Sequence, residues 1–206
     1  SSPAARARYN LATSHLFDQL RCGARDWEGK AAKMGTVLDR SRTLGTGLKL
    51  EDLDALVPAS RVSLKEIGER HLDPGLGVPV VGWKSISALS ARRFEFAPPT
   101  GIPLNLTAFL DFPTSPPTRK FLFGGRAPKV KIGRRSEPLA VDWSAPAALY
   151  WQMSDLDDLD LLKVFLPTRF TDHAGLFFAT PYSEEKIPVV FVHGLNASPG
   201  TYKALY

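Results

Sequence analysis

The stretch that decides the fold is residues 187–199, with the sequence IPVVFVHGLNASP. Its first part, residues 187–192, is a short apolar run rich in β-branched residues, which is typical of a strand buried on both faces of a parallel sheet. A glycine-containing loop follows at 193–197, and Ser198-Pro199 then provides the cap residue and the proline of a helix start. This order of strand, loop and helix predicts an α/β sheet.

The loop after this strand is a candidate binding site. In open α/β sheets, ligands bind in the crevice outside the carboxyl ends of the strands. Gly194 allows the backbone to bend sharply there and to present N–H groups to an anion. The residues alone leave a second interpretation open, a simple strand-to-helix turn in which His193 has no chemical role.

Residues 188–202, PVVFVHGLNASPGTY, resemble the start of the α/β-hydrolase domain of lipases and esterases. In that family a hydrophobic strand ends in His-Gly, and a backbone N–H of the following loop forms half of the oxyanion hole. The resemblance implies that Leu195 supplies this N–H and that Gly194 forms the turn. It also implies that His193 braces the loop and is not the catalytic base, because the catalytic histidine of the family comes later in the chain.

The resemblance extends to the residues before this strand. Residues 175–186 look like the lead-in strand and hairpin of the family, and most of residues 4–206 are similar to bacterial envelope-type hydrolases with a long N-terminal extension. It implies a helical and proline-rich extension at 1–118, followed at 119–206 by the first strands and the oxyanion loop of a hydrolase domain. The expected fold class is therefore α/β, an incomplete α/β-hydrolase sheet preceded by a mixed helical and β-rich extension.

The catalytic triad of the family is missing from the sequence. The nucleophile elbow Gly-x-Ser-x-Gly has no match, since Gly82-Trp83-Lys84-Ser85 has the wrong spacing and lacks the second glycine. In the family the serine, the acid and the histidine all follow the oxyanion loop. We therefore expect a truncated chain that is inactive by itself, and a parent protein that is a serine hydrolase forming an acyl-enzyme from an ester or thioester.

The resemblance also bears on partners and location. It implies a small-molecule or lipid ester as substrate and no cofactor, favours the cell envelope or periplasm over the cytoplasm, and is compatible with association of the parent protein with a membrane surface. A second interpretation, from a different functional class, makes residues 1–186 a non-catalytic binding or docking module of an envelope protein. Its surface would be formed by Trp83, Phe94 and Phe96.

The sequence upstream predicts helices first and strands later. Apolar residues at three- and four-residue steps predict a helix from Ala4 to Arg21, and further helices are expected over 26–40 and 51–57. Alternating apolar and polar residues predict a strand over 104–112, and further strands are expected at 121–123, 130–132, 139–143 and 175–180. Prolines concentrated between Pro98 and Pro117 limit that region to loop and edge strand. Ser144-Ala145-Pro146 predicts another helix start, and a later helix is expected over 157–165.

The chain has 206 residues and a formal net charge of +5, and its basic residues are densest between 119 and 135, where no acid occurs. With Phe121 and Phe123 as stacking partners, this stretch would suit single-stranded nucleic acid. The pattern favours the other interpretation, a solvated face of hairpin strands whose lysines protect a sheet edge from pairing. No nucleic-acid partner is therefore expected. The basic residues are Arg119, Lys120, Arg126, Lys129, Lys131, Arg134 and Arg135.

No metal site is expected from the sequence. A single cysteine, Cys22, excludes an internal disulfide framework and a multi-cysteine metal site. The acidic cluster at 155–160 lacks the glycine that a calcium-binding loop has at its sixth position. The four histidines, His15, His71, His173 and His193, are too far apart in the chain to form a local metal motif.

Overall fold

The computed structural model describes residues 2–21, 26–39, 48–65, 67–86, 94, 96–98, 100–112, 119–124, 129–132, 135–154, 178, 187–190 and 192. Within these residues the chain forms three α-helices and a mixed five-stranded sheet, which confirms the predicted mixture of α and β structure. The helices are α1 (Pro3–Arg21), α2 (Trp27–Lys33) and α3 (Ser144–Ser154). The strands are β1 (Thr36–Leu38), β2 (Ala55–Pro58), β3 (Leu72–Asp73), β4 (Val78–Lys84), β5 (Ile102–Asp111), β6 (Arg119–Gly124), β7 (Lys129–Ile132), β8 (Arg135–Pro138) and β9 (Val141–Asp142).

The main sheet has the strand order β1-β6-β5-β4-β2. Only β1 and β6 run parallel among these neighbours; the other pairs are antiparallel. The prediction that the proline-rich region forms at best an edge strand is wrong, because β5 is the central strand. Pro103 lies near the start of β5, opposite Trp83 of β4, and the pairing of β5 with β6 begins only at Thr107. The missing N–H of the proline therefore interrupts no ladder on the β6 side.

Helix α1 covers one face of this sheet. The predicted helix is confirmed, and its buried residues Thr13, Phe17 and Leu20 recur at four- and three-residue steps. The ring of Phe17 lies 6.4 Å from that of Phe121 and 6.1 Å from that of Phe123, measured between centroids. These rings are the centre of the largest apolar cluster.

The opposite face of the sheet is covered by α3 and by the hairpin of β7 and β8. Ala145 and Ala148 of α3 share an apolar cluster with Val81 of β4. Val130 of β7 clusters with residues of β5 and β6, namely Phe109 and Leu122. Ala59 and Val62, from the loop after β2, complete the cluster around α3. Because α3 and the hairpin come from residues 129–154, this face of the sheet depends largely on segments distant in the chain.

Two predicted helices differ from the structure. The helix expected over 26–40 ends at Lys33, because Gly35 has a positive φ of 61° and the β-branched residues after it form β1 beside β6. The helix expected over 51–57 is wrong. A single 3₁₀ turn at Leu50–Asp52 is followed by β2, whose pairing with β4 provides backbone partners that a short surface helix lacks.

The other described predictions are largely confirmed. Strands β6 and β7 and helix α3 lie where the sequence places them, whereas only Val141–Asp142 of the strand expected at 139–143 forms. The boundary predicted between residues 118 and 119 falls between β5 and β6, which pair with one another. The assignment of 119–206 to a hydrolase domain stays a prediction. The acidic cluster at 155–160 and the helix expected at 157–165 lie outside the described residues.

None of the helices in the described part of the chain combines the length and the apolar character that a membrane span requires.

Candidate functional site

The predicted oxyanion loop lies outside the described residues. This holds for His193, Gly194 and Leu195, the residues to which the sequence assigns a brace, a turn and a hydrogen-bond donor. What the structure shows of the candidate site is the run that leads into the loop and one residue of the predicted lead-in strand.

The apolar run before the loop is exposed. Ile187, Val189, Val190 and Val192 have 92%, 72%, 64% and 79% of their surface accessible. Residues 187–190 and 192 have no regular secondary structure, so the described part of the predicted strand is not formed. A strand of this composition becomes stable when neighbouring strands take its N–H and C=O groups and cover its side chains.

The lead-in segment makes a defined contact with the N-terminal region. The backbone N–H of Phe178 donates to the carbonyl oxygen of Phe96 at 2.8 Å. The two rings meet edge to face, with centroids 5.5 Å apart and an interplanar angle of 87°. The sequence predicts each residue separately, Phe178 in the lead-in strand and Phe96 on a docking surface, but it does not predict that they touch.

Trp83 is not available for the docking surface of the alternative interpretation. It is only 4% exposed, in β4. A Cβ at Gly101 would lie 2.5 Å from Cζ2 of this indole, and Gly101 has a φ of 139°, so the position requires glycine on both counts. Of the aromatic residues predicted for that surface, Phe94 is half-buried and Phe96 is 40% exposed.

The aromatic residues of the basic stretch are buried. Phe121 and Phe123 are 0% and 2% exposed, so neither ring is accessible to a nucleobase. The nucleic-acid interpretation depended on these two rings for stacking. Lys129 and Lys131 are exposed, as predicted for the solvated face of a hairpin.

A buried polar cluster joins the start of α3 to the loop after β2, and sequence reasoning missed it. The Asp142 side chain is 1% exposed and forms an ion pair with Arg70. One oxygen of Asp142 accepts from the backbone N–H groups of Ser144 and Ala145, at 3.0 and 2.9 Å. Arg70 also donates to the carbonyl oxygens of Ala59 and Val62, at 3.1 and 3.2 Å.

This cluster corrects the predicted capping of α3. Ser144 is the first residue of the helix, and the carboxylate of Asp142 accepts hydrogen bonds from the N–H groups of the first helical residues. The Ser144 hydroxyl instead accepts from the backbone N–H of His71 at 2.8 Å. An acidic residue shortly before the first residue of a predicted helix is the signal that could have revealed this capping, and Asp142 stands two positions before Ser144. Both carboxylate oxygens of Asp142 are engaged, so the cluster braces the start of α3 against the loop after β2.

The remaining candidate residues are dispersed. His15 and His71 are exposed, whereas Cys22 and His173 lie outside the described residues. Over the part of the chain that is described, no three histidine, cysteine, aspartate or glutamate side chains are grouped so that they could hold a metal ion.

No protein-family model, curated protein or solved structure matches this chain.

Proposed function

We propose that this chain forms the N-terminal part of a serine α/β-hydrolase that cleaves ester or thioester bonds through an acyl-enzyme. The observation that carries the proposal is the sequence of residues 188–202, in which an apolar, β-branched run ends in His193-Gly194 and a helix start follows. In this proposal residues 187–192 are a strand of the α/β-hydrolase sheet.

The chemistry assigned to Leu195 is hydrogen bonding by its backbone N–H. When a serine oxygen attacks the carbonyl carbon of an ester, negative charge develops on the carbonyl oxygen. An N–H held at that position forms a stronger hydrogen bond in the transition state than with the bound substrate, and one such donor lowers the barrier by about 2.7–4 kcal/mol. The side chain of Leu195 has no part in this step.

The described residues support the proposal in one respect. The apolar side chains of residues 187–190 and 192 are exposed and take no place in the five-stranded sheet, whose own faces are covered by α1, α3 and the β7–β8 hairpin. An exposed run of this kind suits a strand whose partners belong to another sheet.

Two substitutions of Leu195, made in the full gene product, test the proposal. Leu195→Ala keeps the backbone N–H and should leave the hydrolysis of a p-nitrophenyl ester close to the unsubstituted rate. Leu195→Pro removes the N–H and should lower kcat by about a hundredfold or more. Circular dichroism and the melting temperature of each variant check that it is folded. A folded proline variant with undiminished turnover would exclude Leu195 as an oxyanion donor, and absence of esterase activity and fluorophosphonate labelling in the full gene product would exclude the hydrolase assignment.

A further inference from the structure

The two-stranded ribbon of β3 and β9 holds a tryptophan at the surface. Trp143, which directly follows β9, is 46% exposed, whereas Trp83 and Trp151 are buried and Trp27 is half-buried. The Nε1–H of Trp143 donates to a carboxylate oxygen of Asp73, in β3, at 2.8 Å. This hydrogen bond fixes one edge of the indole, so the ring is held in place while much of its surface stays open to solvent.

The side chains of Trp143 and Asp73 lie on the same side of the ribbon. Asp73 pairs in register with Val141, and the backbone N–H of Trp143 donates to the carbonyl oxygen of His71 at 3.0 Å. Because side chains alternate along a strand, these four residues share one side, and Asp142 belongs to the other. Of the four, only Asp73 is acidic.

The carboxylate of Asp73 keeps its charge and one oxygen for a further partner. Asp73 is exposed, and no lysine or arginine in the described ranges forms an ion pair with it. The nearest arginine in the chain, Arg70, pairs instead with Asp142 and donates to two backbone carbonyl oxygens. The hydrogen bond from Trp143 occupies only one of the two oxygens of Asp73.

An indole and a carboxylate side by side select a cation. The face of an aromatic ring carries negative potential, and among the aromatic side chains tryptophan attracts cations most strongly. Asp73 attracts the same charge and accepts hydrogen bonds from N–H groups. A guanidinium group satisfies both residues, because it stacks on aromatic faces and its N–H groups match the geometry of a carboxylate.

We propose that Trp143 and Asp73 form a binding site for a guanidinium group, as carried by arginine in a peptide or in a small molecule. The bound guanidinium stacks on the indole and donates to the oxygen of Asp73 that Trp143 leaves unused. The chain has a formal net charge of +5, so the contacts at this site, and not a general attraction of cations, carry the binding. The proposal does not depend on the hydrolase assignment, because both residues belong to the described ribbon.

A nuclear magnetic resonance titration of the ¹⁵N-labelled 206-residue chain tests the proposal. The probes are acetyl-Gly-Arg-Gly-amide, the same peptide with citrulline, which has a similar shape but no charge, and N-acetylarginine amide. The reporters are the indole N–H signal of Trp143 and the backbone amide signal of Leu72. The test variants are Asp73→Asn, which keeps an acceptor for the indole, and Trp143→Leu. The control variant, Glu28→Gln, removes the same charge from an exposed residue of α2.

We expect saturable shifts with both arginine probes and none with the citrulline peptide. Asp73→Asn and Trp143→Leu should each weaken binding of the arginine peptide by about twofold to fivefold, while Glu28→Gln should leave it within about 1.5-fold. The unperturbed signals of the main sheet show that each variant is folded. Equal shifts with the arginine and citrulline peptides, or an unchanged affinity in Asp73→Asn, would overturn the proposal.

Two further outcomes would assign the site to another ligand. Binding of the arginine peptide without binding of N-acetylarginine amide would show that the peptide backbone, and not the guanidinium group, is recognised. Shifts of the same signals by methyl β-glucoside at concentrations where N-acetylarginine amide gives none would assign the exposed indole to a sugar. Either result would overturn the guanidinium site.

Discussion

The hydroxyl group of Tyr9 takes the place of a missing strand residue beside Leu110. It donates to the carbonyl oxygen of Leu110 at 2.5 Å and accepts from the N–H of the same residue at 2.6 Å. Strand β4 pairs with β5 only as far as Val78 opposite Ala108, because Gly77, with a φ of 94°, turns the chain away. The hydroxyl thus completes the ladder of β5 at the point where β4 leaves it.

Removing this hydroxyl should destabilise the fold. Tyr9→Phe keeps the ring but leaves the N–H and C=O of Leu110 without the partner they have now, a loss of about 1–3 kcal/mol. The free energy of unfolding in urea at pH 8 measures it. Leu11→Ala, at a position of the same helix that is 61% exposed, is the control and should change stability by less than about 0.5 kcal/mol.

The same hydroxyl gives the fold a dependence on alkaline pH. Burial raises the pKa of Tyr9 from 10.0 to about 12. The folded protein therefore holds the phenolic proton of Tyr9 more tightly than the unfolded chain does. The contribution of the Tyr9 hydroxyl to the free energy of unfolding is complete below pH 10 and is lost as the pH rises toward 12. The stability difference between the unsubstituted chain and Tyr9→Phe should therefore be smaller at pH 11 than at pH 8. A difference that stays constant would contradict the raised pKa.

The Arg70–Asp142 pair should be a sensitive point for stability. Asp142→Asn keeps the shape and one acceptor oxygen but leaves the guanidinium without its carboxylate, which should lower the free energy of unfolding by about 3 kcal/mol. Asp73→Asn is the matched control, because Asp73 is exposed and accepts from Nε1 of Trp143 at 2.8 Å. The control should lose less than about 1 kcal/mol. Similar losses for the two variants would show that the buried charge has no special part in stability.

The contact between Phe96 and Phe178 predicts coupling between the two segments that it joins. A double-mutant cycle of Phe96→Leu and Phe178→Leu should give a coupling of about 0.5–1.5 kcal/mol in the free energy of unfolding. Phe112 is the control partner because it is exposed and lies at the other end of β5 from Phe96. Strand β5 has ten residues; Phe112 directly follows its last residue, and Phe96 comes before its first residue. The effects of Phe96→Leu and Phe112→Leu on the free energy of unfolding should be additive. A cycle for Phe96 and Phe178 that also adds without coupling would show that the ring contact contributes nothing.

Hydrogen exchange should separate the run at 187–190 from the main sheet. The amides of Val189 and Val190 belong to no strand, so they should exchange within seconds to minutes at neutral pH. The amide of Leu106, in the centre of β5, should exchange only on global or near-global opening. Strong protection of Val189 and Val190 in a monomer would mean that this run has a partner within the chain, and its assignment to a hydrolase sheet would then fail.

The 206-residue chain should be catalytically silent. It contains no Gly-x-Ser-x-Gly motif, so we expect no hydrolysis of p-nitrophenyl acetate and no labelling by a fluorophosphonate probe. Stoichiometric labelling of any serine in this chain would contradict the predicted absence of a nucleophile.

Local signals in the sequence predicted helix α1, strand β5 and helix α3. The periodicity of α1 and of β5 and the Ser144-Ala145-Pro146 start of α3 each lie within a single segment. The errors arose where a distant partner decides the outcome. A helix was expected over 51–57, but Ala55–Pro58 forms an edge strand because β4 lies beside it.

The contacts of Arg70 with Asp142 and of Tyr9 with Leu110 could not be predicted from the sequence for the same reason. Arg70 and Asp142 are 72 positions apart, and Tyr9 and Leu110 are 101 apart. No local pattern marks either pair. The predicted site differs again, because its only signal is the sequence around His193-Gly194, and that loop lies outside the described residues.

The contact of Phe17 with Phe121 and Phe123 has a consequence for the order of events during synthesis. Helix α1 leaves the ribosome before the sheet does, and β6, which carries Phe121 and Phe123, is made roughly 100 residues later, which takes about 5–20 s at the usual rates of translation. During that interval Phe17 lacks its two aromatic partners, so part of its native packing surface is absent and the nascent chain exposes it to chaperones and to other chains. Helix α1 is thus made well before its aromatic partners in β6.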